Sequence, residues 1–190
     1  MNRRAAIATL LYASLPGIAS AVEFGPKQVA LLMLRILAYD RNFKTRADGK
    51  TAPILLLYQE GNELSETTQV DLNNVFEELS ASVTVGGLPL RVATFAYTKP
   101  LALEARVLSL HPVALFVCPG LADAVPAISA VCRKRAVLSM TTTNAYLKTG
   151  ISVGLSGGDD RIHMAINLPA SKAEGVDLDA ALLRIAEVYR

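Results

Sequence analysis

The stretch VALFVCPGLADAVPAISAVCRKRAVLSM, residues 113–140, places two short apolar runs on either side of a longer segment of mixed polarity. Residues 113–118 and 136–140 have the length and the largely apolar character of strands that are covered on both faces. Residues 121–133, between them, have the length of a helix. A strand, a crossover helix and a second strand form the unit from which parallel sheets are built. The stretch therefore predicts an α/β fold.

The same alternation runs through the chain before this stretch. It predicts strands over residues 53–58 and 90–97, and helices over residues 26–39, 68–79 and 101–110. Pro26 suits a first helical turn, and Thr68 and Asp71 have the spacing of a capping box with Asp in place of the usual Glu. The polar segment 44–51 predicts a turn, and Gly86-Gly87 predicts another.

The end of the chain departs from this alternation. Residues 151–155 and 161–168 predict two strands, which the turn sequence Gly157-Gly158-Asp159-Asp160 joins as an antiparallel hairpin. Asn167 can bond backbone at the strand exit, Pro169 suits a helix start and Gly175 closes the following turn. An amphipathic helix is predicted over residues 177–190, with Leu178, Ala181, Leu182 and Ile185 on one stripe. The expected fold is a single-domain three-layer α/β sandwich with a mostly parallel sheet, this hairpin and a terminal helix.

The first residues indicate export from the cytoplasm. Arg3 and Arg4 precede an apolar run over residues 5–18 and then Ala19-Ser20-Ala21, the order of a secretory signal. We expect a signal peptide over residues 1–21, a mature domain over residues 22–190, and a periplasmic protein with no membrane span after cleavage. A buried first helix or a membrane anchor is the alternative, but Ser14, Pro16 and Gly17 interrupt a run already short for a spanning helix.

Export also changes the charge of the protein. Loss of Arg3 and Arg4 reduces the formal net charge from +2 to zero. The densest basic segments that remain are residues 44–50 and 133–135, and both are typical of solvated turns or helix ends. A nucleic-acid partner is therefore not expected, because such proteins carry a clustered basic face.

Cys118 and Cys132 are the two cysteines of the chain. The periplasm permits a disulfide between them. A helix of the predicted length would separate them by roughly 15 Å, whereas a disulfide needs Cα atoms within about 7 Å of each other. We therefore predict two buried, unpaired thiols.

The chain contains none of the common catalytic or nucleotide-binding motifs. His163 with Asp159 and Asp160 has ligand chemistry for a metal, but polar residues are expected at a hairpin in any case. An enzyme would need a site built from Asp, Thr or Lys that no motif reveals. We predict no catalytic residues, no metal and no cofactor.

Polar loops after the predicted parallel strands are the candidate binding site, because open α/β sheets bind ligands beyond the carboxyl ends of their strands. The segment 141–144 carries four consecutive hydroxyl or amide side chains, although a helix N-cap at Thr142 or Thr143 also explains them. The candidate ligand- or partner-binding residues in these loops are Tyr58, Gln59, Gly120, Thr141, Thr142 and Asn144.

The C-terminal third resembles the closing segment of the YfiR-like family. The matching residues are Ile166-Asn167-Leu168, Ala173-Glu174-Gly175 and the segment 182–186, and the order of the earlier elements extends the similarity over residues 26–190. Many members carry an aromatic Phe-x-x-Trp-Pro element, whereas this chain has no Trp. The best-known member is a periplasmic repressor, released by redox or envelope stress, that contacts the periplasmic sensor domain of a membrane-anchored diguanylate cyclase.

The resemblance implies a non-enzymatic periplasmic protein that binds and modulates the periplasmic domain of a membrane signalling protein in cyclic-di-GMP signalling. The first helix and the turn after it are the expected partner face. The alternative is a small-ligand binder that resembles one lobe of a periplasmic solute-binding protein. One lobe has no cleft between domains, which counts against this alternative unless two copies of the chain pair as a homodimer.

Overall fold

A computed structural model describes residues 24–47, 49–157 and 162–190 of the chain. The predicted signal peptide, the hairpin tip and the pair Asp159 and Asp160 lie outside these residues.

Eight strands and seven helices make up the described part of the chain. The strands are β1 (Ala52–Tyr58), β2 (Thr84–Val85), β3 (Leu88–Ala96), β4 (Ala114–Val117), β5 (Leu138–Thr141), β6 (Val153–Gly157), β7 (Ile162–Asn167) and β8 (Glu187–Tyr189). The helices are α1 (Pro26–Ala38), α2 (Phe43–Arg46), α3 (Glu63–Ser80), α4 (Pro100–Leu110), α5 (Val125–Arg135), α6 (Leu168–Ala173) and α7 (Ala180–Leu183). Two 3₁₀ turns, Ala122–Ala124 and Asn144–Thr149, precede α5 and β6.

The strands form one sheet in the order β2-β3-β1-β4-β5-β6-β7-β8. Strands β3, β1, β4, β5 and β6 are parallel neighbours, and β6 pairs with β7 antiparallel. The predicted α/β fold with a mostly parallel sheet and an antiparallel hairpin is confirmed. A second, shorter hairpin joins β2 to β3 through Gly86-Gly87, at positive φ in both residues.

Helices cover both faces of the sheet, as a three-layer sandwich requires. Ile54 and Leu56 of β1 pack into one buried cluster with α1 and α3. Leu55 and Leu57, which point the other way, pack with α4 and α5. All four side chains are fully buried, which explains why the β1 sequence is continuously apolar and does not alternate.

Two sequence predictions were wrong, one on where a helix begins and one on a polar turn. Helix α3 begins at Glu63 rather than near Thr68, because the Asn62 side chain accepts a hydrogen bond from the Ser65 N–H at 3.0 Å. The segment predicted as a solvated polar turn begins with α2, and its Arg46 is buried in an ion pair with Asp40 at 2.6 Å.

The predicted terminal helix over residues 177–190 is also wrong in extent. Only the turn α7 is helical, and the chain then continues as β8 in parallel pairing with β7. Leu178 and Leu182 are buried as expected, but Ile185 of the same stripe is 67% exposed. Pairing with the free edge of β7 satisfies backbone groups that an isolated surface helix would not reach, which overrides the helical periodicity.

The junction after β7 has the predicted form. The Asn167 side chain accepts from the Ala170 N–H at 3.0 Å and donates to the Leu147 carbonyl at 2.9 Å. Pro169 lies in the first turn of α6, and Gly175 takes a φ of +76° after the helix ends. Asn167 therefore caps α6 and ties it to the turn before β6.

The two cysteines are free and buried, which confirms the prediction of unpaired thiols. Cys118 packs in the cluster with α1 and α3, whereas Cys132 packs in the cluster on the other face of the sheet. Burial raises the pKa of the Cys118 thiol to about 12 and holds the pKa of Cys132 well above its usual range. Of the helices described, none has both the length and the apolar character needed to cross a bilayer.

Candidate functional site

The sheet changes its direction of winding between β1 and β4. After β1 the chain enters α3 on one face, and after β4 it enters α5 on the other. The two strands are direct neighbours, so the loops that leave their carboxyl ends diverge and open a crevice. This position is the general ligand site of open α/β sheets.

A cleft of about 900 Å³ occupies this crevice, and we call it the switch-point cleft. The loops after β1, β3 and β4 and the start of α5 line it with Gln59, Glu60, Gly61, Tyr97, Thr98, Gly120, Leu121, Asp123, Ala124 and Ala127. Gln59 and Gly120, two of the predicted site residues, therefore lie in one cleft. Tyr58 is half-buried at the end of β1 and does not line it.

Local hydrogen bonds hold the loop after β1 in place. The Gln59 N–H donates to the Ser65 hydroxyl at 2.8 Å, and Asn62 caps the helix that follows. Gly120 approaches this loop with a φ of +92°, and a Cβ there would lie 2.9 Å from Asn62 Cγ. Only glycine fits the position, since it avoids both the left-handed strain and the contact with Asn62.

The switch-point cleft has an acidic rim. Glu60 and Asp123 line it, and Glu66 accepts a hydrogen bond from the Gly61 N–H at 2.8 Å. Burial raises the pKa of Tyr97, so its hydroxyl stays protonated at neutral pH and can donate or accept. The cleft can thus bind groups that carry hydrogen-bond donors or positive charge, and its lining contains no nucleophile paired with a histidine base.

Of the three predicted residues in the segment 141–144, one borders a second cleft, of about 280 Å³, on the face covered by α1 and α3. Thr142 lines it together with residues of these helices and of the β6 end. Thr141 is fully buried: its hydroxyl donates to the Val117 carbonyl at 2.8 Å and accepts from the Thr143 N–H at 3.0 Å. Asn144 donates to the Ser156 hydroxyl at 3.1 Å. The polar run 141–144 thus bonds within itself and to β4 and β6, the strands on either side of β5.

Metal ligands do not cluster in the described ranges. Among the residues of the structure, no group of three or more His, Cys, Asp and Glu side chains could hold an ion. His111 ends α4 in the left-handed conformation and His163 is exposed on β7, so the two lie on different elements.

Sequence reasoning missed an apolar surface on α4. Leu103 and Val107 of this helix are buried against the sheet, whereas Leu101 is 74% exposed and Leu108 is 46% exposed. Leu101, the exposed Ala105 and Leu108 recur at i, i+4 and i+7, so they share the side of α4 that points away from the sheet. We call these three residues the outer face of α4. The sequence PLALEARVLSL carries the signal, because it is apolar on two opposite sides.

Residues 27–187 match the sequence pattern of the YfiR/HmsC-like family. The chain belongs to the YfiR/HmsC-like family. The resemblance predicted from the sequence is confirmed, and the match covers the whole sheet apart from the last residues of β8. The YfiR-like family is a family of periplasmic regulators.

Solved structures similar to this YfiR/HmsC-like protein share its fold at low identity. An ABC domain in complex with L-Trp from Streptococcus pneumonia has a TM-score of 0.63 at 14% identity, over 87% of this chain and 62% of that chain. A conserved domain protein from Vibrio cholerae has a TM-score of 0.60 at 13% identity, over 87% and 60%. The substrate binding protein CD0873 from Clostridium difficile, which has adhesive properties, gives 0.60 at 14%, over 86% and 59%.

The YfiR/HmsC-like chain therefore spans about three fifths of the length of these structures. No curated protein matches the chain. The likeness shows a fold shared with substrate-binding-like domains.

Proposed function

We propose that this protein is a non-enzymatic regulator of the periplasm that binds the periplasmic domain of a membrane-anchored signalling protein and modulates it. A diguanylate cyclase is the class of partner that we propose. Membership of the YfiR/HmsC-like family supports the regulatory role, and the order of charged, apolar and small residues over 1–21 supports export. The outer face of α4 is the surface that we assign to the partner.

The exposed leucines of α4 are the main reason for assigning the partner surface to this helix. A helix that is apolar on opposite sides is normally covered on both, yet Leu101 is 74% exposed and Leu108 is 46% exposed. Covering a leucine fully contributes about 1.5–3 kcal/mol relative to leaving it in water. Leu101 and Leu108 lie about two turns apart on one side of the helix, so together they give a partner an extended apolar anchor.

The switch-point cleft adds a polar border to this anchor. Leu101 follows Thr98 closely along the chain, and Thr98 lines the cleft. The carboxylates of Glu60 and Asp123 lie in the same cleft. An apolar centre beside a polar border is the usual composition of a protein interface. We infer a partner surface with an apolar patch next to basic or hydrogen-bond-donating side chains.

The partner surface of α1, expected from the sequence, is narrow in the structure. Most apolar side chains of α1 are buried, and its exposed stripe comprises Lys27, Leu31, Arg35 and Ala38. The Arg35 guanidinium lies 5.9 Å from the centre of the Tyr39 ring, which occupies part of this stripe. We therefore propose α4, rather than α1, as the main contact.

The test measures cyclic-di-GMP in cells that lack this protein. Deletion should change the concentration of the messenger, and the wild-type gene should restore it. The double variant Leu101→Asp, Leu108→Asp should fold normally and fail to restore it. Val70→Asp is the matched control, since Val70 is 50% exposed but lies on α3, on the opposite face of the sheet. If the two variants complement the deletion equally well, α4 is not the partner surface. If the deletion leaves the concentration of cyclic-di-GMP unchanged, the partner is not a diguanylate cyclase.

Direct contact can be tested by a photoreactive amino acid at position 108 and, as the control, at position 70. A crosslink from position 108 to a membrane protein with a cyclase domain, identified by mass spectrometry, supports the proposal. Crosslinks of equal yield from both positions would contradict it.

A small-ligand binder is a second candidate function, favoured by the position of the switch-point cleft and by the similarity to a substrate binding protein. The acidic rim predicts a ligand with a positive group or several donors. At 100 times its Kd such a ligand should raise the free energy of unfolding by about 2.7 kcal/mol. Thermal-shift measurements with amino acids, nucleosides and polyamines test this, with Gln59→Ala and Asp123→Asn as variants. If none of the three classes of ligand raises the melting temperature, the protein does not bind a small ligand of the predicted kind.

A further inference from the structure

Strand β3 leaves part of its outer edge without a strand partner. It is nine residues long and pairs with β1 over Leu90–Ala96 on its inner edge. On its outer edge, β2 pairs only with Leu88 and Pro89. Within the described ranges, no other strand adjoins the outer edge of β3.

The direction of the free backbone groups follows from two pairings. The Tyr97 N–H donates to the Tyr58 carbonyl at 2.8 Å, so residues of odd number in this strand direct their N–H and C=O towards β1. Leu88 flanks the two-residue turn and pairs with Val85 of β2, which places residues of even number outward. Val92, Thr94 and Ala96 therefore present their backbone N–H and C=O groups at the outer edge.

This edge lacks the features by which proteins usually prevent strand pairing. Edge strands are commonly short, bulged, or interrupted by Pro, Lys or inward charges. The segment 92–96, VATFA, contains no proline, glycine or charged residue, and its side chains are neither fully buried nor fully exposed. Such an edge is a template for a further strand.

We propose that a second copy of this chain occupies the edge, by antiparallel pairing of β3 with β3 around Thr94. In this register Thr94 lies opposite Thr94 of the second copy, and Val92 lies opposite Ala96. Each of these residues exchanges both of its backbone hydrogen bonds with its opposite residue. The sheets of two copies thereby become one continuous sheet with two-fold symmetry.

The side chains of β3 are complementary to themselves in this register. Ala93 comes to lie opposite Phe95 of the second copy, so a small residue faces a large one on both sides of the axis. Arg91 comes to lie opposite Tyr97, which places a guanidinium beside an aromatic ring. No pair of like charges meets across the axis. This internal match favours a second copy over an unrelated extended peptide.

Strand β2 limits the pairing and so selects the register. Strand β2 pairs with Leu88 and Pro89 on the outer edge of β3. The strand of the second copy can therefore follow this edge only as far as the position opposite Arg91, where it must turn away from the sheet. By symmetry the same limit applies at the other end. A shift of register would bring one end of the incoming strand against β2 and leave the other unpaired.

Disulfide trapping tests both the edge and the register. Residues opposite each other in a hydrogen-bonded pair have Cα atoms about 5.5 Å apart, within the range of a disulfide. Thr94→Cys should therefore form a covalent dimer on mild oxidation. Val92→Cys should not, because two copies of residue 92 lie about 14 Å apart in this register. Mixing Val92→Cys with Ala96→Cys should give a crosslinked heterodimer of the two variants.

The oligomeric state provides an independent measurement. The untagged protein should sediment as a dimer, and Thr94→Pro should sediment as a monomer with its melting temperature changed by only a few degrees, since the lost N–H points away from β1. Rapid crosslinking of Val92→Cys with itself would contradict the register in which Thr94 lies opposite Thr94. If the wild-type protein is a monomer at 100 µM and Thr94→Cys forms no crosslink, the proposed dimer is wrong. The edge of β3 would then be covered by another segment or another partner.

Discussion

The hydroxyl of Ser139 donates a hydrogen bond of 2.6 Å to a carboxylate oxygen of Glu174, in a part of the fold where both side chains are fully buried. Glu174 also accepts from the Ser139 N–H at 2.9 Å and from the Ser152 hydroxyl. It thus joins the end of α6 to β5 and to the residue before β6. Burial raises its pKa to about 7, against the hydrogen bonds from the two serines, which lower it.

Glu174 makes the stability of the protein depend on pH. Its pKa is about 7 in the folded state and near 4.5 when unfolded, so the folded state holds the proton more tightly. Its stabilising contribution is full below pH 4.5 and is lost as the pH rises through 7. The loss is on the order of 3 kcal/mol. Glu174→Gln should remove this dependence.

Urea unfolding at pH 4.5, 6 and 8 measures the effect as the difference between wild type and variant. Glu174→Gln should be the less stable protein at pH 4.5, because its amide cannot accept all the hydrogen bonds that the carboxyl group accepts. The difference should narrow towards pH 8. A difference that stays constant over this range would show that Glu174 does not titrate there.

The Asp40–Arg46 pair should be a strong determinant of stability. The two side chains are almost completely buried, and Arg46 also donates to the carbonyls of Val113 and Ala136. Asp40→Ala leaves a buried guanidinium without its counterion, which should reduce the free energy of unfolding by about 3–5 kcal/mol. Arg41→Ala is the control: it breaks a pair with Asp179 that is largely exposed and should change stability by less than about 1 kcal/mol. Similar losses for both variants in denaturant titrations would contradict this.

Gly120 should tolerate no side chain because of Asn62. Gly120→Ala combines left-handed strain with a contact at 2.9 Å, so we expect a loss of about 2–4 kcal/mol. Gly61→Ala is the matched control, since Gly61 has a φ of +77° but nothing within 4 Å of the added Cβ. It should lose only about 1–2 kcal/mol, from strain alone. Equal melting temperatures for the two variants would show that Asn62 moves aside without penalty.

The two cysteines should be inert in the folded protein. Both thiols are buried and their pKa values are raised, so little reactive thiolate forms at pH 8. A thiol reagent should modify neither residue in buffer and both in 6 M guanidinium chloride. The intact mass should be the same with and without a reductant. Modification of Cys118 or Cys132 at a rate faster than global unfolding would point to local opening of the sheet.

The strands β1, β4 and β5 could be predicted closely because they lie in the middle of the sheet. A strand covered on both faces must be apolar throughout, and this requirement is visible in the residues themselves. The crossover helices α4 and α5 follow from their length and position between such strands. Asn167, Pro169 and Gly175 were also readable, since capping and left-handed turns depend on neighbours along the chain.

The candidate site was predictable only in part. The rule for strand ends predicts a site beside Gln59 and Gly120, and the structure brings these two residues together in one cleft, because the rule depends on the order of elements. It grouped them with Thr141 and Thr142, which lie at a buried position and at a second cleft. Which loops meet depends on the strand order, and β3 lies outside β1 in the sheet although it follows it in the chain.

The order of apolar and polar residues thus determined the α/β class, the buried strands and the caps of this protein, since each is set by contacts within one element or its immediate neighbours. The end of the chain and the buried charges were decided by distant contacts. Residues 187–189 carry a pattern compatible with a helix, yet they form β8 because β7 offers an open edge. Arg46 and Glu174 resemble surface residues in sequence, and they are buried because Asp40, Ser139 and Ser152 come to surround them in space. Hydrogen-bond partners that lie many residues away have no signature in local composition.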